Sequence, residues 1–490
     1  MDARSIGRLL ASPAGGLLLN AGAHLLDKDR LRQPFIQAVD WWLHALLASD
    51  ELTSPAWRRI RQERLWIALS VLHTVDRLAG RRAIAPGVVR VIPQLWARAL
   101  CMPEAQRPAI ARFRREHGTR PPWFIAISPG LACNLRCAGC YADSGPEGAK
   151  LPWPILDRII SEARDLWDVP MVVFAGGEPL VYRSEGHDLL DMVEKHPTCM
   201  FVVYTNGTLI DEQTAARMAR LVNVVTAISV EGLRERTDAR RGAGVFDRVL
   251  EAMACLRRAR FPFGISMTAT RANCAEIMSD EVLDFYFGEQ GAFFGFVFQY
   301  MPIGRGATLE EMPTPQQRLE LWRRSWEVVA GKRYFLFDFW NHGPLVRGCM
   351  AAGREAGYLH IDWNGQVMPC VFAPYSAGNI QEVYAHGGTL EDVWHAPFLQ
   401  AVRRWQLDYG WGEAEPSRQG NWLRPCPIRD HHRLFRQWVE QHRPDPENDQ
   451  AGEALLDADY YEGMAAYGTE LGRLSQRIWE EEYLDLRTAR

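Results

Sequence analysis

The chain has 490 residues, 47% hydrophobic and 24% charged, a composition that suits a globular protein with a large buried core. A formal net charge of −4 excludes a global basic field of the kind that draws a protein to nucleic acid. No stretch reaches the roughly 18 uncharged apolar residues that a membrane-spanning helix needs, and no secretory signal pattern opens the chain, so a cytoplasmic location is the expectation. In that setting ten cysteines read as thiols or metal ligands rather than as a disulfide framework.

Residues 1–118 read as a helical domain. LRQPFIQAVDWWLHALLAS and WRRIRQERLWIALSVLHTVDRLAG both space apolar residues by three and four. Within it Leu17, Leu18, Leu19, Leu25, Leu26, Phe35, Trp41, Trp42, Leu43 and Leu46, with arginines nearby, admit peripheral membrane contact. Packing on the rest of the protein is the commoner reason for such stripes. ARFRREHGTRPP ends in prolines and marks a boundary.

From Phe124 the pattern becomes strand and helix in alternation. FIAIS, MVVFAGG, CMFVVYTNG, VVTAISVEG, FGISMTAT and FFGFVFQY are short apolar runs with helical stretches between most of them. In one such stretch, ILDRIISEARDLW, Ile155, Leu156, Ile159, Ile160, Ala163 and Leu166 share a face. Six β-then-α units predict a parallel sheet with right-handed crossovers, a partial (β/α)6 TIM-like barrel over 119–310. The polar and glycine-rich signals fall just after the strands, at the rim where such barrels build active sites. From about Asp338 the alternation stops. A cysteine-bearing module over 311–430 and a helical tail over 431–490 complete the expected organisation.

The first connection carries Cys133, Cys137 and Cys140, followed by Tyr141. Three thiolates so close in sequence suit three corners of a [4Fe–4S] cubane, leaving one iron open. Zinc is the alternative, but no local fourth ligand is evident. A second set, Cys349, Cys370 and Cys426, flanks Asn364-Gly365, which reads as a hairpin turn between YLHID and QVMPC. Cys101, Cys199, Cys255 and Cys274 stand singly and read as structural.

CxxxCxxC after a first barrel strand, followed by Gly-Gly-Glu-Pro, resembles the radical S-adenosylmethionine (SAM) superfamily over about residues 120–310. The resemblance implies a [4Fe–4S] cluster on Cys133, Cys137 and Cys140, and reductive cleavage of SAM to a 5′-deoxyadenosyl radical that abstracts a substrate hydrogen. It implies that Gly176, Gly177 and Glu178 match the strip contacting the methionyl amino group. Tyr141 matches the aromatic near the adenine, and Ser229 and Arg241 the stretch that holds the ribose and carboxylate. An electron donor such as flavodoxin or ferredoxin is the implied partner. The segment IDWNGQVMPC resembles the start of a SPASM or twitch extension, which implies one auxiliary [4Fe–4S] cluster on Cys349, Cys370 and Cys426. Its fourth position would be left to substrate or closed by Asp430, His431 or His432. The full SPASM pattern is not met, since no CxxC follows.

Asp338, His342 and Tyr300 are the candidate catalytic residues, the first two from a polar cluster inside the aromatic run 335–343, with a hydrogen-bonded core pair as the bland alternative. Gln299 and Arg305 are expected to face the same cavity. The substrate, whether peptide, lipid or isoprenoid, or small metabolite, is not legible. The rival readings are a non-enzymatic iron–sulfur electron carrier or sensor on the same fold, and a zinc-binding interaction protein.

Overall fold

The computed structural model of the chain describes residues 29–48, 55–85, 87–88, 104–411 and 420–485. One nine-stranded sheet organises it: β1 (Phe124–Ile127), β2 (Met171–Phe174), β3 (Met200–Thr205), β4 (Val224–Val230), β5 (Phe263–Ala269), β6 (Gly295–Gln299), β7 (Leu336–Asp338), β8 (Tyr358–Ile361) and β9 (Val367–Met368). The spatial order is β9-β8-β1-β2-β3-β4-β5-β6-β7, and all neighbours are parallel except β8 with β9. The helices that concern the site are α1 (Asp29–Ala48), α2 (Pro55–Gly80), α3 (Pro108–His117), α4 (Trp153–Trp167), α5 (Leu189–Lys195), α6 (Glu212–Leu221), α7 (Arg234–Arg241), α8 (Val245–Arg258), α9 (Pro315–Glu327) and α10 (Ala458–Ile478).

The six expected strands are β1 to β6, and the sheet is wider than expected at both edges. β7 adds to β6, and the anticipated hairpin, β8 and β9, docks on β1 with Phe124 opposite Tyr358. The sheet therefore does not end near residue 310, and strands from the cysteine-bearing segment extend it. The chain from β7 to β8 must run from one edge of the sheet to the other. It carries Cys349, so the second cysteine set belongs to the seam of the open barrel.

Burial alternates along the strands in a way that tells the two faces apart. Val172 and Phe174 on β2, Val297 on β6 and Leu336 on β7 are buried under the helices. Their neighbours Val173, Phe296, Phe298 and Phe337 are only half-buried and line the concave face. Helix α4 shows why the outer layer is stable: Leu156, Ile159, Ile160 and Ala163 recur at helical spacing and are fully buried. The helix stops at Asp168, in the left-handed region, whose N–H returns to the carbonyls of Ala163 and Arg164.

Residues 1–118 do not stand apart in the part that is described. Phe113 of α3 packs edge-on to Trp394, with ring centroids 5.0 Å apart. On α2, Trp57 packs against Trp422 at 6.0 Å, and Glu63 accepts a 2.5 Å hydrogen bond from Tyr483. Helix α2 thus packs against Trp422 and Tyr483 of the carboxy-terminal part. Leu17, Leu18, Leu19, Leu25, Leu26, the Leu46 side chain and Cys101 lie outside the described residues. On α1, Phe35, Trp42 and Leu43 are half-buried, and Trp41, 72% exposed, stands with Leu31 as a separate exposed apolar residue. These give no continuous lipid-facing stripe, and membrane contact is not supported. Among the described residues no helix is long and apolar enough to cross a membrane.

Candidate active site

The cysteine loop leaves the C-terminal end of β1 and is held from two sides by arginines. Arg305 donates to the carbonyls of Cys137, at 2.9 Å, and Ser144, while its own N–H donates to the Cys140 carbonyl at 2.9 Å. Arg240 donates to the carbonyls of Ala138 at 3.1 Å and Gly139 at 3.2 Å. A Cβ on Gly304 would fall 2.2 Å from the Cys140 carbonyl oxygen, so the β6 loop seats directly under the cysteines. Arg305 is therefore a clamp on this loop rather than a cavity-facing group. Tyr300 is a wedge beneath the same loop: its ring lies against Gly139 and its hydroxyl accepts from the Thr308 N–H at 3.4 Å.

Around Cys133 the thiol accepts from the Leu135 N–H at 3.4 Å and from Asn206 Nδ2 at 3.8 Å. Burial pushes this thiol up to about 11, so it stays protonated until a metal cation replaces the proton.

The glycine strip supports the loop through its backbone. Gly177 and Glu178 donate their N–H groups to the carbonyls of Gly130 and Ala132 at 3.0 and 2.9 Å. Gly176 sits at φ +104° against Ser128, and its N–H donates to the Tyr141 hydroxyl at 2.9 Å. Among the described residues no backbone N–H outside helices and strands donates to the Gly177 carbonyl. Glu178 itself is turned inward. One oxygen accepts from the Leu180 N–H at 3.0 Å and the Thr205 hydroxyl at 2.7 Å, the other from the Asn206 N–H at 2.7 Å. Its carboxylate ties β2 to β3. A Cβ on Gly177 would meet the Leu131 and Ala132 carbonyl oxygens at 2.3 Å. Gly177→Ala is accordingly expected to displace the cysteine loop and lower SAM cleavage by about 100-fold, measured as 5′-deoxyadenosine formed per cluster.

Ser229 lies on β4, half-buried. Arg241 is less available than expected. Its Nε and Nη2 donate to one Glu231 oxygen at 3.0 and 2.5 Å, and Arg240 Nη1 donates to the other at 2.8 Å. Glu231 is 1% exposed, so one buried carboxylate orients both arginines and, through Arg240, the cysteine loop. Glu231→Gln leaves one half-buried guanidinium facing an amide N–H. It is expected to lower stability by about 1–3 kcal/mol in anaerobic denaturation of the chain.

Cys349, Cys370 and Cys426 line one cavity with Phe339, Trp340, Tyr358 and Phe372. The Ala351 N–H donates to Cys349 Sγ and the Phe372 N–H to Cys370 Sγ, each at 3.4 Å, and the Tyr358 hydroxyl lies 3.0 Å from Cys370 Sγ. Such contacts to sulfur tune an iron–sulfur centre. Burial pushes the Cys349 thiol up to about 12. The expected closing ligands are elsewhere. Asp430 is paired with Arg318 at 2.5 and 3.0 Å, His431 Nε2 is 3.1 Å from the Arg424 carbonyl, and His432 Nδ1 is 2.7 Å from the Ile428 carbonyl. Among the described residues the cavity presents no carboxylate or imidazole beside its three thiols.

Asp338 and His342 also fall to packing. Asp338 accepts from Gln299 Nε2 at 3.1 Å, the Trp340 and Asn341 N–H groups at 3.1 and 2.9 Å, and Asn341 Nδ2 at 2.9 Å. His342 is held between Ser325 and the Asp338 N–H and stacked on Trp326 at 4.2 Å, and burial pushes it down to about 3, keeping it neutral. Neither has a group left for substrate. What does face the cavity is aromatic. Phe298 lies 5.5 Å from Tyr204, 5.3 Å from Phe339 and 6.1 Å from Phe372, and Phe372 lies 6.1 Å from Tyr141 and 5.0 Å from Trp340. This wall runs from the cysteine loop to the second cysteine cavity.

Comparison with known proteins agrees with that geometry. The family description "Radical SAM superfamily" matches residues 127–271, and "Iron-sulfur cluster-binding domain", the SPASM domain, matches 349–418. The mycofactocin maturase MftC of Mycobacterium ulcerans is 31% identical over 300 residues, covering 59% of this chain and 79% of that protein. The chain belongs to the radical SAM superfamily. An AdoMet-dependent heme synthase of Methanosarcina barkeri is 27% identical over 54% of this chain and 81% of that protein. The sporulation killing factor maturation protein SkfB of Bacillus subtilis is 28% identical over 51% and 60%. As a radical SAM enzyme with a SPASM domain, the chain uses SAM, a [4Fe–4S] cluster and an auxiliary iron–sulfur cluster. The electron-carrier, sensor and zinc-protein readings are set aside, since the relatives are named as maturases and synthases. Cys426 lies beyond the SPASM match and reaches the same cavity through the fold alone.

Proposed function

We propose that Cys133, Cys137 and Cys140 hold the SAM-cleaving cluster, that Cys349, Cys370 and Cys426 hold one auxiliary cluster, and that the enzyme abstracts hydrogen from an sp3 carbon of its substrate, aliphatic or benzylic. The carrying observation is the concave face between the two cysteine sets, where Val173, Tyr204, Phe296, Phe298, Phe337 and Phe339 offer no charged group. A substrate segment seated there must be apolar.

When bound, the cluster and SAM supply one-electron cleavage of the sulfonium and a 5′-deoxyadenosyl radical. The protein's own part is positional. Arg240 and Arg305 fix the cysteine loop, and the Gly176–Gly177 strip keeps its backbone close beneath it. The Gly177 carbonyl and Ser229 are the acceptors assigned to SAM, and the phenylalanines exclude water from the reacting carbon. A peptide side chain is the first candidate substrate, because the maturases match at 31% identity; a lipid, isoprenoid or small metabolite is the alternative. The test is anaerobic reconstitution with iron and sulfide, dithionite reduction and addition of SAM, with one set of peptides deuterated at Val, Leu, Phe or Tyr and a second set deuterated at Ser, Asp, Glu or Lys. Deuterium in 5′-deoxyadenosine supports the reading. Transfer only from polar or charged residues sinks it.

A further inference from the structure

Arg429 carries a buried charge that its protein neighbours do not satisfy. Its side chain is fully buried, and Nη1 and Nη2 have no hydrogen-bond partner. Nε donates to Asp430 Oδ1 at 3.3 Å, but that carboxylate is already engaged by both terminal nitrogens of the fully buried Arg318. Two guanidinium groups thus share one carboxylate. Asp338, which interacts electrostatically with Arg318, accepts its hydrogen bonds from the neutral donors of Gln299, Trp340 and Asn341. The rest of Arg429's surroundings are aromatic: its guanidinium carbon lies 4.8 Å from the Trp340 ring centre and 5.4 Å from that of Tyr467.

Such a charge is costly in an apolar interior, so its location matters. Arg429 stands one helical turn after Cys426, and the Trp340 ring it packs against lines the cavity of Cys349, Cys370 and Cys426. Three thiolates around a [4Fe–4S] core make an anionic assembly, and reduction adds one more negative charge. A fixed cation nearby, in a low dielectric, stabilises the reduced form more than the oxidised one.

We propose that Arg429 is the counter-charge that raises the reduction potential of the auxiliary cluster and so fits it to accept an electron. This rests on the reading that Cys349, Cys370 and Cys426 hold that cluster. The experiment uses the full chain carrying C133A, C137A and C140A, so that one cluster remains, reconstituted anaerobically and titrated redox-potentiometrically with EPR detection. Arg429→Met, of similar volume, is expected to disfavour reduction at least tenfold, a shift of about 59 mV to more negative potential for one electron. Arg429→Lys, which keeps the charge, stays near the parent. Arg429→Gln loses the charge but keeps a donor toward Asp430, and it decides the question if the methionine variant does not fold. A loaded Met or Gln variant with the parent's potential overturns the role of Arg429. A parent with no cluster at all, but a native circular dichroism spectrum, overturns instead the three-cysteine reading beneath it and the inference with it.

Discussion

Replacing Cys133, Cys137 and Cys140 together with alanine is expected to abolish 5′-deoxyadenosine formation and to halve the iron, from about eight to about four per chain. The structure motivates both parts. The loop thiols hang from the end of β1 and are held by Arg240 and Arg305, whereas Cys349, Cys370 and Cys426 share a cavity at the barrel seam. Tyr141 and Phe372 stand between the two groups, with ring centroids 6.1 Å apart. Removing the loop thiols leaves every sulfur of the second cavity, and the N–H groups that donate to Cys349 and Cys370, in place. Iron and sulfide analysis with Mössbauer spectroscopy checks the count, and chromatography checks the nucleoside. Loss of both clusters from a chain that still folds would defeat the two-site division.

The chemistry-bearing loop was legible because it is local: three cysteines, a glycine strip and a strand before each announce themselves within single segments. The same holds for β1 to β6, whose apolar runs are bounded by turn residues. What escaped is what depends on partners far along the chain. The run Phe335-Leu-Phe-Asp-Phe339 alternates with the period of a strand, and it is β7. Its phenylalanines face the cavity while Leu336 and Asp338 turn away. Reading Asp338 as a candidate catalytic residue missed that phase. Phe296 and Phe298 carry the same signal on β6. Arg305 and Glu178 show a different limit. Both sit at the rim and carry the right charge for a ligand, yet Arg305 donates to the Cys137 and Ser144 carbonyls and Glu178 accepts from Thr205 and Asn206 as well as from nearby Leu180, and no single segment reveals the distant partners. Arg241 is intermediate, since its position was legible and its engagement by Glu231, ten residues earlier, was not.

The auxiliary site has its own graded prediction. Cys370→Ala removes a sulfur proposed as a cluster ligand, which is also the partner of the Tyr358 hydroxyl at 3.0 Å and of the Phe372 N–H at 3.4 Å. The variant is expected to keep the loop cluster and to keep cleaving SAM. Substrate conversion should fall by more than about 100-fold, past the roughly 10–100-fold that loss of an outer partner costs. Tyr358→Phe removes only that outer partner and should fall inside the smaller range. The measurement is the ratio of 5′-deoxyadenosine to product, which rises when cleavage no longer leads to product. Turnover of Cys370→Ala at the wild-type ratio would place the auxiliary cluster outside the reaction, and the electron released from the substrate radical would then leave by another route. A high ratio in Cys370→Ala with an unchanged ratio in Tyr358→Phe would keep the cluster in the reaction and confine the tyrosine to packing against β1, where it stacks on Phe124 at 4.6 Å.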